Sequence, residues 1–119
     1  MPGPARFKDL CIDANDHQHL ADWWCQCLGY VRLQTDDEVP MDAERPVPIV
    51  DPDGAGPLIW VNPVPEPKTV KNRMHLDVVG DVDTLLGLGA RIVRAKETGR
   101  PWDVLADPED NEFCVFAPQ

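Results

Sequence analysis

The stretch NRMHLDVVG, residues 72–80, decides the fold. Its alternation of polar and apolar residues predicts a β-strand, in which successive side chains point to opposite faces of the sheet. His75 and Asp77 would then share one face, and Leu76 and Val78 would share the other. The apolar face can pack under a helix, so the opposite face would present an imidazole and a carboxylate.

The same order of predicted elements occurs twice along the chain. Strands are predicted over residues 7–14, 30–34, 47–50 and 58–61 in the first half and over residues 72–80, 90–95, 102–106 and 112–116 in the second. A helix follows the first strand of each half, ending at Gly29 in the first and, after fewer residues, at Gly89 in the second. Internal repetition of this kind predicts an α+β fold of two β-α-β-β-β modules.

The first helix carries the clearest packing signal. Asn15 or Asp16 is predicted to cap its start. An apolar stripe at i, i+4, i+7 and i+8 is formed by Leu20, Trp24, Cys27 and Leu28. Trp23 cannot share that stripe and is predicted to cover the helix flank or a dimer contact, while His17 and His19 are predicted to be exposed. In the third strand, Pro48 lacks an N–H and predicts an edge position or a bulge.

Two irregular segments interrupt this pattern. Residues 35–45 are acidic and include Asp36, Asp37 and Glu38, which is typical of a solvated loop. Residues 62–71 read NPVPEPKTVK, and prolines this dense predict a stiff, extended connector. We therefore expect one domain with module one at about 5–62, a connector at 63–71 and module two at 72–118.

Composition bounds the classes of function. The chain has 119 residues and a formal net charge of −10, which argues against nucleic acid and anionic membranes as partners. No long apolar run predicts a membrane span or a signal peptide, so we expect a cytoplasmic protein. Its cysteines are Cys11, Cys25, Cys27 and Cys114. We expect them to be free thiols of a protein in a reducing compartment. No phosphate-binding glycine loop, nucleotide fingerprint or Ser-His-Asp order occurs.

Several blocks together resemble a known superfamily. They are LADWW at 20–24 before Leu28-Gly29, PEPK at 65–68 leading to KNRMHLD at 71–77, LGA at 88–90, and DPEDNEF at 107–113. In this combination the chain resembles the vicinal-oxygen-chelate (glyoxalase, bleomycin-resistance and dioxygenase) superfamily, and above all its small bacterial glyoxalase-like proteins. The resemblance implies a curved mixed sheet with a helix backing each half and a cup-shaped cavity that binds a small molecule.

The resemblance also implies four positions at which metal-using members place ligands. By position these are Asp9, Trp60, His75 and Cys114, of which only His75 has the usual type. Cys114 stands where a glutamate is expected, because Glu112 lies two residues too early, and Trp60 cannot bind a metal. We therefore expect no cofactor; if a metal binds, Asp9, His75 and Cys114 would hold a divalent ion such as zinc.

The predicted cavity gives a set of candidate ligand-binding residues. They are Asp9, Cys11, Trp60, Arg73, His75, Asp77, Glu112 and Cys114. His75 is the candidate catalytic residue, as a general base or a ligand hydrogen-bonding group. The alternatives are a structural histidine paired with Asp77 or Asp9, and a core position for Trp60. Lys68, Lys71 and Arg73 would meet an anionic ligand or simply belong to a solvated linker.

Three hypotheses for function follow. The first is a small-molecule binding protein without a catalytic metal, and the second is a metal-dependent lyase, isomerase or dioxygenase of the same superfamily. The third is a scaffold whose sheets serve association only. A homodimer is predicted for all three, because one short chain supplies only two cups, the second helix is short, and Trp23 has no evident partner within the chain.

Overall fold

Two repeated units make up the computed structural model, which describes residues 3–33 and 44–118. The chain divides into Met1–Pro65 and Glu66–Gln119. The first unit contains β1 (Leu10–Ala14), α1 (His17–Leu28), β2 (Val31–Arg32), β3 (Val47–Val50) and β4 (Ile59–Pro63). The second contains β5 (Leu76–Val79), α2 (Val82–Gly87), β6 (Arg91–Arg94), β7 (Asp103–Ala106) and β8 (Glu112–Phe116). The predicted pair of β-α-β-β-β modules is confirmed, and their grouping as one domain stays a prediction.

Both sheets have the same topology. The strand orders are β1-β4-β3-β2 and β5-β8-β7-β6. In each sheet the first and last strands of the unit pair in parallel, and the other pairs are antiparallel. A parallel pair needs a crossover connection, and the helix of each unit lies in that connection. The predicted acidic loop lies mostly outside the described residues, which exclude 34–43.

The ends of α1 follow from its capping residues. Asp16 caps the start, with its side chain accepting a hydrogen bond from the His19 N–H at 3.1 Å. Gly29 ends the helix in the left-handed conformation with φ 72°, which glycine adopts without strain. The predicted stop is confirmed, and of the two predicted caps Asp16 is the one used.

The predicted surroundings of α1 were partly wrong. Trp23 is buried and packs edge to face on Trp24, with ring centroids 5.0 Å apart and planes at 86°. Adjacent helical residues do not share a face, but large rings can still meet at the boundary between faces. His17 is also buried, with Nε2 placed 2.8 Å from the carbonyl oxygen of Arg45. The lower part of the predicted stripe, Cys27 and Leu28, is only half-buried.

The prediction that Pro48 lies at an edge was also wrong. Its strand β3 lies between β4 and β2. The Pro48 carbonyl accepts a hydrogen bond from the Leu33 N–H at 2.9 Å, so the proline nitrogen faces the same side. Strand β2 already ends at Arg32, and the missing N–H therefore falls where the pairing stops. A short neighbouring strand makes an interior proline tolerable.

Strand starts differ from the sequence prediction in two places that matter for the site. Phe7 is 75% exposed and precedes β1, which begins at Leu10. His75 likewise precedes β5, whose pairing with β8 begins at Leu76. For β5 the alternation of side chains extends beyond the paired part of the strand, because Nδ1 of His75 lies 3.1 Å from Oδ1 of Asp77.

The second unit is the reduced copy. Its helix α2 has 6 residues against 12 in α1, as the sequence predicted. Asp81 caps α2 by accepting hydrogen bonds from the Thr84 N–H at 3.0 Å and the Thr84 hydroxyl at 2.7 Å. The buried side chains of this unit include Leu85, Leu105, Phe113 and Val115. Within the described residues, neither helix is long and apolar enough to cross a membrane.

Candidate functional site

Three polar side chains meet on one face of the second sheet. Asp77 on β5 is the register partner of Cys114 on β8, and paired residues point to the same face. His75 lies two residues before Asp77 and projects to that same side. The Nδ1 atom of His75 is 3.1 Å from Oδ1 of Asp77. One potential ligand atom from each of the three residues lies within 4.8 Å of the others.

The three groups differ in exposure and charge. The side chains of His75 and Asp77 are 44% and 57% exposed, whereas Cys114 is buried. Burial raises the pKa of the Cys114 thiol, and the charge of Asp77 and its hydrogen bond with the thiol raise the pKa further. Lys71 and Arg100 act in the opposite direction. The cluster therefore combines a protonated thiol with a carboxylate that solvent can reach.

This donor set fits some metals and not others. Zinc accepts nitrogen, oxygen and sulfur ligands, and its tetrahedral sites place ligand atoms about 3.3–3.8 Å apart. The 4.8 Å limit of the cluster is close to that spacing, so small side-chain movements would complete a three-ligand site. Ions that prefer oxygen ligands, such as Mg²⁺ and Mn²⁺, fit a thiol poorly. No second group of three such side chains occurs within residues 3–33 and 44–118.

Glu112 lies on the same face of β8 but is engaged by other residues. Its carboxylate accepts hydrogen bonds from Asn72 N at 3.0 Å, Lys71 Nζ at 3.0 Å and Lys68 Nζ at 3.4 Å. Although partial burial raises the pKa of Glu112, the hydrogen bonds from Asn72 and the two lysines leave the pKa below its usual value. Lys68 and Lys71 thus both donate hydrogen bonds to the Glu112 carboxylate. Arg73 is exposed and makes no hydrogen bond to a described residue.

The candidate residues of the first unit also lie together. Asp9 accepts hydrogen bonds from Lys8 Nζ at 2.8 Å and from Trp60 Nε1 at 2.9 Å. The Lys8 bond is the main cause of a lowered Asp9 pKa, and the Trp60 bond adds to it. Cys11 is exposed and is the register partner of Trp60. The Asp9 carboxylate is therefore committed to two donors within its own unit.

The metal set implied by the resemblance, Asp9, His75 and Cys114, stays a prediction, because Asp9 belongs to the other unit. Within the second unit, His75 and Cys114 lie together with Asp77, which the sequence predicted as a ligand contact and, alternatively, as a structural partner of His75. The signal was present, because Asp77 follows His75 at the spacing that keeps two strand residues on one face.

Sequence reasoning missed two aromatic residues near this cluster. The rings of Trp102 and Phe116 have centroids 5.5 Å apart and planes inclined at 32°. Phe116 lies two residues beyond Cys114 and shares its face of β8. The alternation along 112–116 could have identified Phe116. The identification of Trp102 would have required knowledge of the pairing of β7 with β8.

The fold and the repeated units define a protein of the glyoxalase, bleomycin resistance and dioxygenase superfamily, as the sequence resemblance implied. The family model described as "Glyoxalase-like domain" matches residues 9–116, and the chain belongs to that family. A search of curated proteins gave no match.

Solved structures with the same fold extend over nearly the whole chain. A glyoxalase/dioxygenase from Nostoc punctiforme is 23% identical with TM-score 0.63, covering 100% of this chain and 96% of its own. A mutant of the fosfomycin resistance protein FosX from Listeria monocytogenes, complexed with Mn(II) and 1S,2S-dihydroxypropylphosphonic acid, is 12% identical with TM-score 0.69, covering 98% and 95%. TioX from Micromonospora sp. ML1 is 18% identical with TM-score 0.58, covering 93% and 97%. At these identities the similarity shows the fold.

Proposed function

We propose that this protein binds a small molecule and that His75, Asp77 and Cys114 form the polar part of its ligand site. The observation that carries the proposal is their convergence within 4.8 Å on one sheet face. An imidazole, a carboxylate and a thiol offer donors and acceptors to one ligand group. Two of the three side chains are reachable by solvent.

Three further observations support this proposal. The exposed Arg73 guanidinium, two residues before His75, suits an anionic group on the ligand because it presents several fixed donors. The FosX structure contains a small phosphonic acid, which shows that this fold accommodates such a molecule in that protein. All four cysteines are free, which supports a reducing, cytoplasmic setting as part of the proposal.

A ligand screen tests the proposal directly. Thermal-shift measurements across a library of small organic acids, with native mass spectrometry of the freshly purified protein, should identify a compound that stabilises the chain. A ligand at 100 times its Kd stabilises by about 2.7 kcal/mol. His75→Ala should abolish the shift, and His19→Ala, which removes an exposed histidine of α1, should retain it. Equal shifts in both variants would contradict the assigned site.

A metal-dependent enzyme is the second candidate. The specific observation in its favour is the mixed nitrogen, oxygen and sulfur donor set, which fits zinc and leaves a fourth position for water or substrate. Three protein ligands with one open position is the usual arrangement of a catalytic zinc site.

Metal content separates the two candidates. Elemental analysis after purification without chelators, followed by zinc titration, should give one equivalent of zinc if the second candidate holds. Cys114→Ser and His75→Ala should then each lose the ion, while Cys25→Ser should retain it. A wild-type protein that binds no zinc, yet shows a ligand-induced thermal shift, would leave the first proposal standing alone.

A further inference from the structure

The segment that leads into the site, residues 68–75, is attached to β8 mainly through Glu112. The Glu112 side chain is 12% exposed and accepts hydrogen bonds from one backbone amide, Asn72 N, and from two lysine ammonium groups. A backbone amide bonded to a carboxylate is a charge-assisted hydrogen bond, which is stronger than a neutral one. We name residues 68–75, which begin within the predicted connector at 63–71 and end at His75, the connector segment.

The connector segment has few other attachments. Pairing between β5 and β8 begins at Leu76 with Phe113, so within the described residues no strand pairing holds residues 68–75. Val70 and Met74 are 74% and 82% exposed, so apolar packing does not hold the segment either. The carboxylate on β8 is therefore placed where both usual means of fixing a strand end are missing.

A chain of contacts continues from Glu112 to the site. Glu112 binds the Asn72 backbone amide, and the Asn72 side-chain amide donates to the Met74 carbonyl oxygen at 3.1 Å. The next residue is His75, whose Nδ1 faces Asp77 at 3.1 Å. The position of the imidazole thus depends on a backbone segment that Glu112 fixes three residues upstream.

We propose that Glu112 is a positioning residue that holds the connector segment on β8 and thereby fixes His75 beside Asp77 and Cys114. The inference rests on the proposed function, because that function is what makes the position of His75 important. It gives Glu112 a different role from the ligand contact expected from the sequence. Glu112 acts on the site through the backbone at Asn72 and needs no contact with the ligand.

The simpler alternative is an ordinary surface ion pair. Surface pairs contribute little to stability and order little of the chain. Lys71, at 74% exposure, fits that description. Glu112 itself does not, because it is largely buried and because one of its three donors is a main-chain amide. Removing its carboxylate would leave the half-buried Lys68 and the Asn72 N–H without an anionic partner.

The test compares Glu112→Gln with wild type and with Glu97→Gln, which removes a carboxylate paired with Arg94 elsewhere in the second unit. Amide hydrogen exchange of peptides spanning 68–76, read by mass spectrometry, reports the attachment of the segment. Modification of His75 by diethyl pyrocarbonate reports its surroundings, with the exposed His19 as internal reference. Denaturant midpoints report global stability. Lys71→Met removes one partner of Glu112 and should give a smaller change in the same direction.

We expect severalfold faster exchange over 68–76 and faster His75 modification in Glu112→Gln, with an unchanged His19 rate and an unchanged rate over the β7–β8 peptides. Exchange equal to that of wild type would overturn the inference. Exchange that is faster across the whole unit would also overturn it, because Glu112 would then be a general stabilising residue. None of these readouts requires a ligand.

Zinc affinity then tests the link to the site. If zinc binds the wild-type protein, Glu112→Gln should weaken the affinity on the order of tenfold, as expected for residues that orient ligands. Failure of zinc and library compounds to bind the wild type would overturn the proposed function while leaving the exchange result intact. Faster exchange with unchanged zinc affinity would overturn the positioning role.

Discussion

Nδ1 of His75 lies 3.1 Å from Oδ1 of Asp77, two residues further along the same strand direction. An Nδ1–H tautomer would donate to this carboxylate and would leave Nε2 as the nitrogen for a ligand or an ion. Asp77 is also the register partner of Cys114, and its charge acts on that thiol. One carboxylate thus connects the other two members of the cluster.

We expect Asp77→Asn to affect binding more than stability. Both side chains of the His75–Asp77 pair are substantially exposed, so its loss should lower the free energy of unfolding by less than about 1 kcal/mol. If zinc binds the wild-type protein, its affinity, measured by competition with a chromogenic chelator, should fall on the order of tenfold or more in Asp77→Asn, because a charged ligand beside His75 is lost. A large loss of stability with unchanged affinity would instead assign the pair a structural role.

We predict a homodimer, although one of the original reasons no longer applies. Trp23 is buried against Trp24 within the chain, so it no longer gives a reason to expect a dimer. Within the described residues, the large apolar side chains that are more than 70% exposed are instead Phe7, Val70, Met74 and Val79. A stable association typically buries about 1,200 Å² or more. Sedimentation equilibrium at micromolar concentration should give twice the monomer mass, and the monomer mass would contradict the prediction.

The capping residue of α2 makes stability depend on pH. Hydrogen bonds from the Thr84 hydroxyl and the Thr84 N–H lower the pKa of Asp81 in the folded protein. The unfolded pKa is about 3.9, so the carboxylate stabilises the fold fully above that pH and loses its effect as the pH falls through the lower folded value. The gap in Tm between wild type and Asp81→Ala should therefore be largest at neutral pH and should shrink below about pH 4.

Asp83→Ala is the matched control for that measurement. It removes an exposed carboxylate from the same helical turn, and the Asp83 side chain makes no hydrogen bond to a described residue. Its Tm difference from wild type at neutral pH should be smaller than that of Asp81→Ala, because no capping hydrogen bond is lost. An Asp81→Ala gap that stays constant with pH would show that the cap does not depend on the charged carboxylate.

Much of the fold was predictable because it depends on local signals that repeat. Gly29 ends α1, the short second helix was read from the sequence, and the range predicted for β8 matches the structure. Pro48 shows where such signals fail. A proline predicts a missing donor, but only the pairing with the two-residue strand β2 shows that no donor is needed there.

The candidate site was predictable only in part, for a related reason. Alternation places His75 and Asp77 on one face, and it places Glu112 and Cys114 on one face of another strand. Which pair meets depends on the register of β5 on β8, a long-range property. That register puts Asp77 opposite Cys114, and the donors of Asn72 and the two lysines engage Glu112. The prediction for Trp23 was wrong for a similar reason, because helical periodicity gives the direction of a side chain and does not report the size of its ring.

The register also allows a decisive comparison between the two faces of the second sheet. Leu76 pairs with Phe113 and Asp77 pairs with Cys114, so a shift of one residue would exchange the apolar and polar sets. Phe113 is 1% exposed, and Phe113→Ala should therefore cost about 3–5 kcal/mol through lost burial and the cavity left behind. Leu76 is half-buried, contrary to full burial under a helix, and Leu76→Ala should cost less than Phe113→Ala.

His75→Ala should behave differently from both. Its side chain is 44% exposed and its pairing with Asp77 is solvated, so the free energy of unfolding should change by less than about 1 kcal/mol. His19→Ala, which removes an exposed histidine of α1, is the control for a neutral change. Urea denaturation of the four variants gives the ranking. If His75→Ala proves more destabilising than Phe113→Ala, the histidine is structural and the ligand site lies elsewhere.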